Sequence, residues 1–293
     1  MKKFLLCSVF AILCSLCVFM TDIEVNADIE LPNASISVGS SAGSAFVFDA
    51  DSGRVFYEKN ADTKRAMAST TKIATAITVI ENCKDLDAIV KVDKRAVGIE
   101  GTSIYLREGE ELSVRDLLYG LMLRSGNDSA VALAIYIGGD IENFCNLMNE
   151  TALRAGAENT NFANPHGLDN PDHYTTARDL ATITAYALNN KDFAQIVSTK
   201  NIKIPSREEG ARFLANKNRL LNSLEGCIGV KTGFTTKAGR CLVSAVERDG
   251  LRVVCVVLNC GPMFEESADM LNAVCEKYKS YVVLEPYKYI ADL

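Results

Sequence analysis

The sequence predicts a mixed α/β chain of the α+β kind, an antiparallel sheet with flanking helices that also carries an inserted helical subdomain. Strand-like runs lie near both ends, around residues 45–58 and 241–258, whereas residues 111–200 between them follow helical spacing. Composition agrees: 293 residues, 48% hydrophobic and 23% charged, suffice for one sizeable core, and no Pro/Gly/Ser-rich linker divides the chain after residue 45. A formal charge of −6 without any Lys/Arg block excludes a nucleic-acid binder.

The chain opens with Met1-Lys2-Lys3, an apolar run from Phe4 to Met20, and small residues around Val25-Asn26-Ala27. That is the pattern of a signal peptide over residues 1–27, cut to leave Asp28. The run is long for such a leader, so an uncleaved N-terminal anchor stays open, and it is the one route to membrane contact. Either way the body is expected outside the cytosol. Cys14 and Cys17 each follow Leu, which argues against a lipoprotein anchor.

A polar lead-in (28–44) precedes the expected catalytic domain, residues 45–285. Ala45–Asp49 and Arg54–Glu58 flank a turn containing Gly53, a β-hairpin. Ile73, Ala74, Ile77 and Ile80 recur at helical spacing, so Ser69 is expected at a helix start. A helical subdomain is expected over about 90–200. Residues 241–247 and 251–258 flank Arg248-Asp249-Gly250, a second hairpin apolar enough to be covered on both faces. An amphipathic helix over about 265–281 closes the unit, and 286–293 is a tail. Three of the ten cysteines fall in the leader, and the seven others follow no disulfide or metal spacing; most read as small buried hydrophobes.

Three short motifs carry the chemistry. Ser69-Thr70-Thr71-Lys72 is an SxxK, Ser125-Gly126-Asn127 an SxN, and Lys231-Thr232-Gly233 a KTG. Singly each is weak, and an SxxK alone also describes a capping serine with a solvated lysine. On a helix, positions i and i+3 share a face, so the Lys72 amine reaches the Ser69 hydroxyl. A lysine acts as base only when burial and a neighbouring cation lower its pKa, and Lys231 is the candidate cation. Ser125 is placed to pass a proton between that lysine and a leaving amine, and Asn127 to hold a peptide carbonyl. Lys231 and Thr232 offer a cation and a hydroxyl to a substrate carboxylate, on a strand expected at a sheet edge. Gly233 is expected to clear space for substrate backbone, and the Phe234 and Ser69 NH groups to form an oxyanion hole.

In this order the motifs resemble the triplet of penicillin-binding proteins and class A β-lactamases. The longer context is similar to the low-molecular-mass penicillin-binding D-Ala-D-Ala carboxypeptidases over about residues 40–285. Met67-Ala-Ser-Thr-Thr-Lys-Ile-Ala-Thr-Ala76, Asp116 through Ala130, Asn164-Pro-His-Gly-Leu168, His173 through Leu180 and Gly229 through Gly239 carry the likeness. The resemblance implies a serine β-lactamase/DD-peptidase-like fold and a secreted hydrolase that removes the terminal D-Ala from peptidoglycan stem peptides through a Ser69 acyl-enzyme. It also implies covalent inhibition by β-lactams, and it calls for no cofactor and no metal.

Two departures stand out. Many relatives carry a carboxylate-binding arginine just after the last strands, where this chain reads Gly261-Pro-Met-Phe-Glu-Glu-Ser267, leaving Thr232 and Lys231 for that task. Relatives often continue into a further β-rich domain and a membrane anchor, whereas this sequence stops at Leu293. His166 and His173, the two histidines, sit in turn-rich sequence without HxxxH or HExxH spacing and read as structural. A β-lactamase remains an alternative, although no E-x-x-x-N loop lies between residues 145 and 180. So does a non-catalytic peptidoglycan-binding module, against which every catalytic residue type is present.

Overall fold

The computed structural model describes residues 36–206 and 210–280. The expected leader, residues 28–35 of the lead-in and residues 281–293, the expected tail among them, lie outside the described residues.

The first hairpin forms where the β-rich runs place it, as β1 (Ser44–Asp49) and β2 (Val55–Lys59), turning at Gly53. The second is β8 (Gly239–Arg248) and β9 (Leu251–Leu258), joined through Asp249 and Gly250, both at positive φ as a tight hairpin turn requires. The two hairpins meet because β1 also pairs with β9, Val47 opposite Cys255. β7 (Cys227–Thr235) then pairs with β8, Lys231 opposite Val243, giving one antiparallel sheet in the order β2-β1-β9-β8-β7. The KTG strand is therefore an edge.

A period of two divides the sheet residues between its faces. Phe46, Phe48, Val243, Ala245, Val254 and Val256 join the core under the helices. Val47, Leu242, Val246, Val253, Cys255 and Val257 pack with Met270, Leu271 and Val274 of the closing helix. Both faces are covered, so these strands read as continuous apolar runs. The closing helix spans Met263–Lys277, a few residues nearer the N-terminus than the pattern at 265–281 suggests, because Tyr278 turns extended.

Between the hairpins the chain is mainly helical. A 3₁₀ turn, Ala68–Thr71, runs into α1 (Lys72–Asn82). The small sheet of β3 (Ile89–Lys91) and β4 (Glu111–Ser113) leads into α2 (Val114–Leu123), started by a reciprocal cap between Ser113 and Asp116. Then come α3 (Asn127–Gly138), α4 (Ile141–Arg154), α5 (Ala177–Leu188) and α6 (Lys191–Ser198). β5 (Asn201–Ser206) and β6 (Gly210–Ala215) form a two-stranded ribbon before the short α7 (Leu220–Ser223), β7 and the closing helix, α8. α5 packs against β1 and β9.

α1 departs from the amphipathic pattern expected of it. Lys72 through Ile80 are all buried, because helices surround it. Thr75 is accommodated by bonding a carbonyl, its Oγ1 donating to Pro165 O at 2.6 Å. Seven cysteines among the described residues are free thiols, four of them buried. No helix among these residues is long and apolar enough to cross a membrane.

Candidate active site

Three segments converge on Ser69. It sits in the 3₁₀ turn one step before α1, so its hydroxyl lies at the positive end of that helix. Ala68 before it has φ 50°, a left-handed conformation uncommon for any residue but glycine. Loop 164–168 supports the turn. A Cβ on Gly167 would stand 2.0 Å from the Ala68 carbonyl oxygen, so only glycine permits this approach.

The second segment is the break Arg124-Ser125-Gly126 between α2 and α3, where Ser125 has φ 65°. Asn127 is the first residue of α3. The third is β7, whose Thr232, Gly233 and Phe234 face Ser69 and Ser125 across a cavity of about 400 Å³. Thr102 and Lys217 also line it, and Met263 and Phe264 form an apolar end.

Lys72 is completely buried. Its Nζ lies 3.0 Å from Ser69 Oγ, 2.7 Å from Asn127 Oδ1 and 2.6 Å from the His166 carbonyl oxygen. Burial, then the charges of Lys231 and Lys217, hold its pKa well below the usual lysine value, against the opposing pull of Asp128. A neutral amine has two N–H donors and one lone pair. Asn127 and His166 accept the two donors, which leaves the lone pair for the Ser69 O–H. The site therefore suits a neutral lysine that takes the serine proton.

Asn127 is committed to this task, since its Nδ2 also donates to Glu100 O at 2.6 Å. Its amide orients the lysine, a different placement from the substrate-facing one expected. Lys231 is buried too and does not line the cavity. It donates to Thr232 O at 2.8 Å, and burial followed by Lys217 pushes its pKa down to about 7. Gly233 also differs from expectation: a Cβ there would meet the Ser69 and Thr70 backbone nitrogens at 3.0 and 3.1 Å. What it clears is the path of β7 past the catalytic turn.

The pattern for the D-alanyl-D-alanine carboxypeptidase family matches residues 32–261. The chain belongs to this family. Among family members, DacF of Bacillus subtilis (strain 168) is 32% identical over 251 residues, covering 84% of this chain and 64% of DacF. The D-alanyl-D-alanine carboxypeptidase of Streptomyces sp. (strain K15) is 38% identical over 222 residues, 70% of this chain and 76% of that one. Among solved structures, the Streptomyces K15 DD-transpeptidase superposes with a TM-score of 0.74 at 34% identity, over 81% of this chain and 97% of that protein. DacD from Francisella tularensis gives 0.76 at 31%, over 80% and 70%. The chain thus spans less than two thirds of DacF.

Against the family's three motifs, several site residues had no sequence signal of their own. Lys217 lies in no motif, yet it lines the cavity, and its amine has a 3.4 Å contact to Thr102 Oγ1. Asp128, next to Asn127, accepts from Ser103 Oγ at 2.6 Å and from the Ile104 and Leu106 NH groups, which shapes the loop behind Thr102. His166 acts through its backbone carbonyl. His173 is a structural tie: its Nδ1 accepts from Ala163 N–H at 3.0 Å and its Nε2 donates to Thr71 Oγ1 at 2.7 Å. The stretch that replaces the arginine supplies Met263 and Phe264 to the cavity, while Glu266 turns away to accept from Ser40 Oγ at 2.6 Å.

Proposed function

We propose that the chain is a serine-type D-Ala-D-Ala carboxypeptidase that removes the terminal D-Ala of peptidoglycan stem peptides. The single observation that carries this reading is the buried Lys72 amine 3.0 Å from Ser69 Oγ, with its two N–H donors already engaged. Ser69 attacks the carbonyl between the two D-Ala residues as Lys72 takes its proton. The tetrahedral oxyanion is received by the NH groups of Ser69 and Phe234. Ser125, which lines the cavity, relays the proton to the leaving D-Ala amine, and water then hydrolyses the ester.

The substrate's terminal carboxylate falls to Thr232 and Lys217. Both line the cavity, whereas Lys231, a buried residue of β7, lies outside that lining and serves to depress the Lys72 pKa. No carboxylate lines this cavity among the described residues. That favours the peptidase over the β-lactamase alternative, which needs a deacylating acid close to the ester. β-Lactams, as mimics of the same terminus, are expected to acylate Ser69. The exported setting belongs to the same proposal: residues 1–27 as leader, 45–285 as catalytic domain, and the outer face of the cytoplasmic membrane or the cell wall as its place.

The test is D-Ala release from diacetyl-Lys-D-Ala-D-Ala, run beside labelling by a fluorescent penicillin. Release and labelling by the wild type, both lost in Ser69→Ala, are expected. Equal labelling of Ser69→Ala would sink the mechanism, and rapid penicillin turnover without D-Ala release would select the β-lactamase.

A further inference from the structure

A second hollow, about 280 Å³, opens between loop 103–105 and the β5–β6 ribbon. Its lining includes Ser103 and Arg124, the chain neighbours of Thr102 and Ser125 in the cavity wall, so the two hollows adjoin. Tyr105 and Phe213 also line it, 81% and 62% exposed. Two large aromatics lining one hollow make a local exposed apolar patch, which is informative where singly exposed residues are not.

Tyr105 is fixed there at a cost. Its φ is 63°, in the left-handed region, which a bulky side chain seldom occupies without compensation. Arg212 supplies the compensation, donating from Nε to Ile104 O at 2.9 Å and from Nη2 to Tyr105 O at 3.2 Å. Its guanidinium is locked on the buried carboxylate of Glu110, 2.9 Å from Oε2. Asp128 holds the other side of the same loop. A buried ion pair and a buried acid thus serve to present one exposed ring.

Arg124, half-buried, has no hydrogen bond or ion pair among the described residues, and its nearest charged influence is on Lys217, another cation. An arginine with no partner among the described residues, beside the held Tyr105 and the exposed Phe213, can receive an anionic group with an apolar stem.

We propose that this hollow is a second substrate subsite, which takes an acidic residue of the same peptide, its carboxylate on Arg124 and its aliphatic stem between Tyr105 and Phe213. The inference rests on the carboxypeptidase reading, which places a peptide in the adjoining cavity. Stem peptides contain such a residue, because a γ-linked glutamate leaves its α-carboxylate free.

The test uses the full chain carrying Ser69→Ala and two probes, acetyl-L-Ala-γ-D-Glu-L-Lys-D-Ala-D-Ala with the glutamate α-carboxylate free or converted to the amide. Calorimetry should show the acid bound about fivefold more tightly, as one charge-assisted contact near the surface gives. Arg124→Met in that background should bring the ratio to about one, and Arg124→Lys should keep part of it. Equal affinities for acid and amide, a preference that survives Arg124→Met, or binding of neither probe would overturn the proposal. D-Ala release from both peptides by the unsubstituted chain is followed separately; its absence beside an intact acid preference would sink the carboxypeptidase reading alone.

Discussion

Four cations stand in or beside the site, two buried and two reaching solvent, and their exposure divides their tasks. Lys72 and Lys231 are buried, so neither can lend a full charge to substrate without a large desolvation cost. Lys217 is exposed and open to the cavity, and Arg124 stands beyond it. Replacing Lys217 by Met should raise KM for a peptide ending in a free carboxylate by roughly tenfold, the worth of one charge-assisted hydrogen bond. A peptide ending in D-alaninamide should lose less than the acid does, and equal losses for the two would contradict the assignment. The motif triplet singled out Ser69, Lys72, Ser125 and the 231–234 run in the sequence, because spacing on one helix or strand is a local property, but the surroundings of Lys231 and Gly233 differ from those read from it. Lys217 and Asp128 were not legible. Their roles arise from chain segments that meet only after folding.

At the scale of elements, the site depends on how closely β7 passes the 3₁₀ turn. Gly233 lets the strand run against the Ser69 and Thr70 backbone, and backbone atoms cannot rotate aside as a side chain can. Gly233→Ala should therefore displace the turn by a few tenths of an ångström and cost about 1 to 3 kcal/mol of stability, the usual range for overpacking. Acylation should slow by roughly tenfold or more, since small misplacements of a nucleophile are expensive. Penicillin labelling rates and a urea melt check both halves; an unchanged labelling rate would show that the contact is slack. The two sheet hairpins were legible because their turns contain glycine and their strands are apolar. The β5–β6 ribbon was not, since Lys203, Pro205 and Arg212 interrupt its pattern and only Ile204 and Leu214 are buried. α1 was read correctly as a helix, but its full burial reflects neighbours that no local pattern encodes.

For the whole molecule, the sequence disclosed the sheet and its covered faces through the period-two runs, and the structure added how the halves are tied together. His173 is one such tie. Its neutral ring accepts on Nδ1 and donates on Nε2, and Thr71 passes the chain on by donating to Ala68 O at 2.8 Å. Burial, reinforced by the charge of Lys72, pushes its pKa down to about 4, from 6.5 in the unfolded chain. Between those values the unfolded state binds more protons, so stability is complete above about pH 6.5 and falls as pH drops toward 4. The loss should approach about 3 kcal/mol at 1.36 kcal/mol per pH unit. Urea midpoints at pH 7 and pH 4.5 should differ markedly in the wild type and less in His173→Leu. Equal pH dependence in the two would remove His173 from the account.

The fold holds the Lys72 pKa well below the ordinary lysine value, which lets the amine serve as base to Ser69, and the pH profile of Ser69 acylation by a fluorescent penicillin tests this most directly. Because the folded pKa is lowered, the neutral amine gains population as pH rises through that lowered value. The rate should climb along a limb far below 10.5 and be reduced at least a hundredfold or so in Lys72→Ala, the scale of a lost general base. In Lys231→Gln, with one repelling cation removed, the limb should move to higher pH. A wild-type limb near the ordinary lysine value, or a profile in Lys72→Ala that matches the wild type, would contradict it.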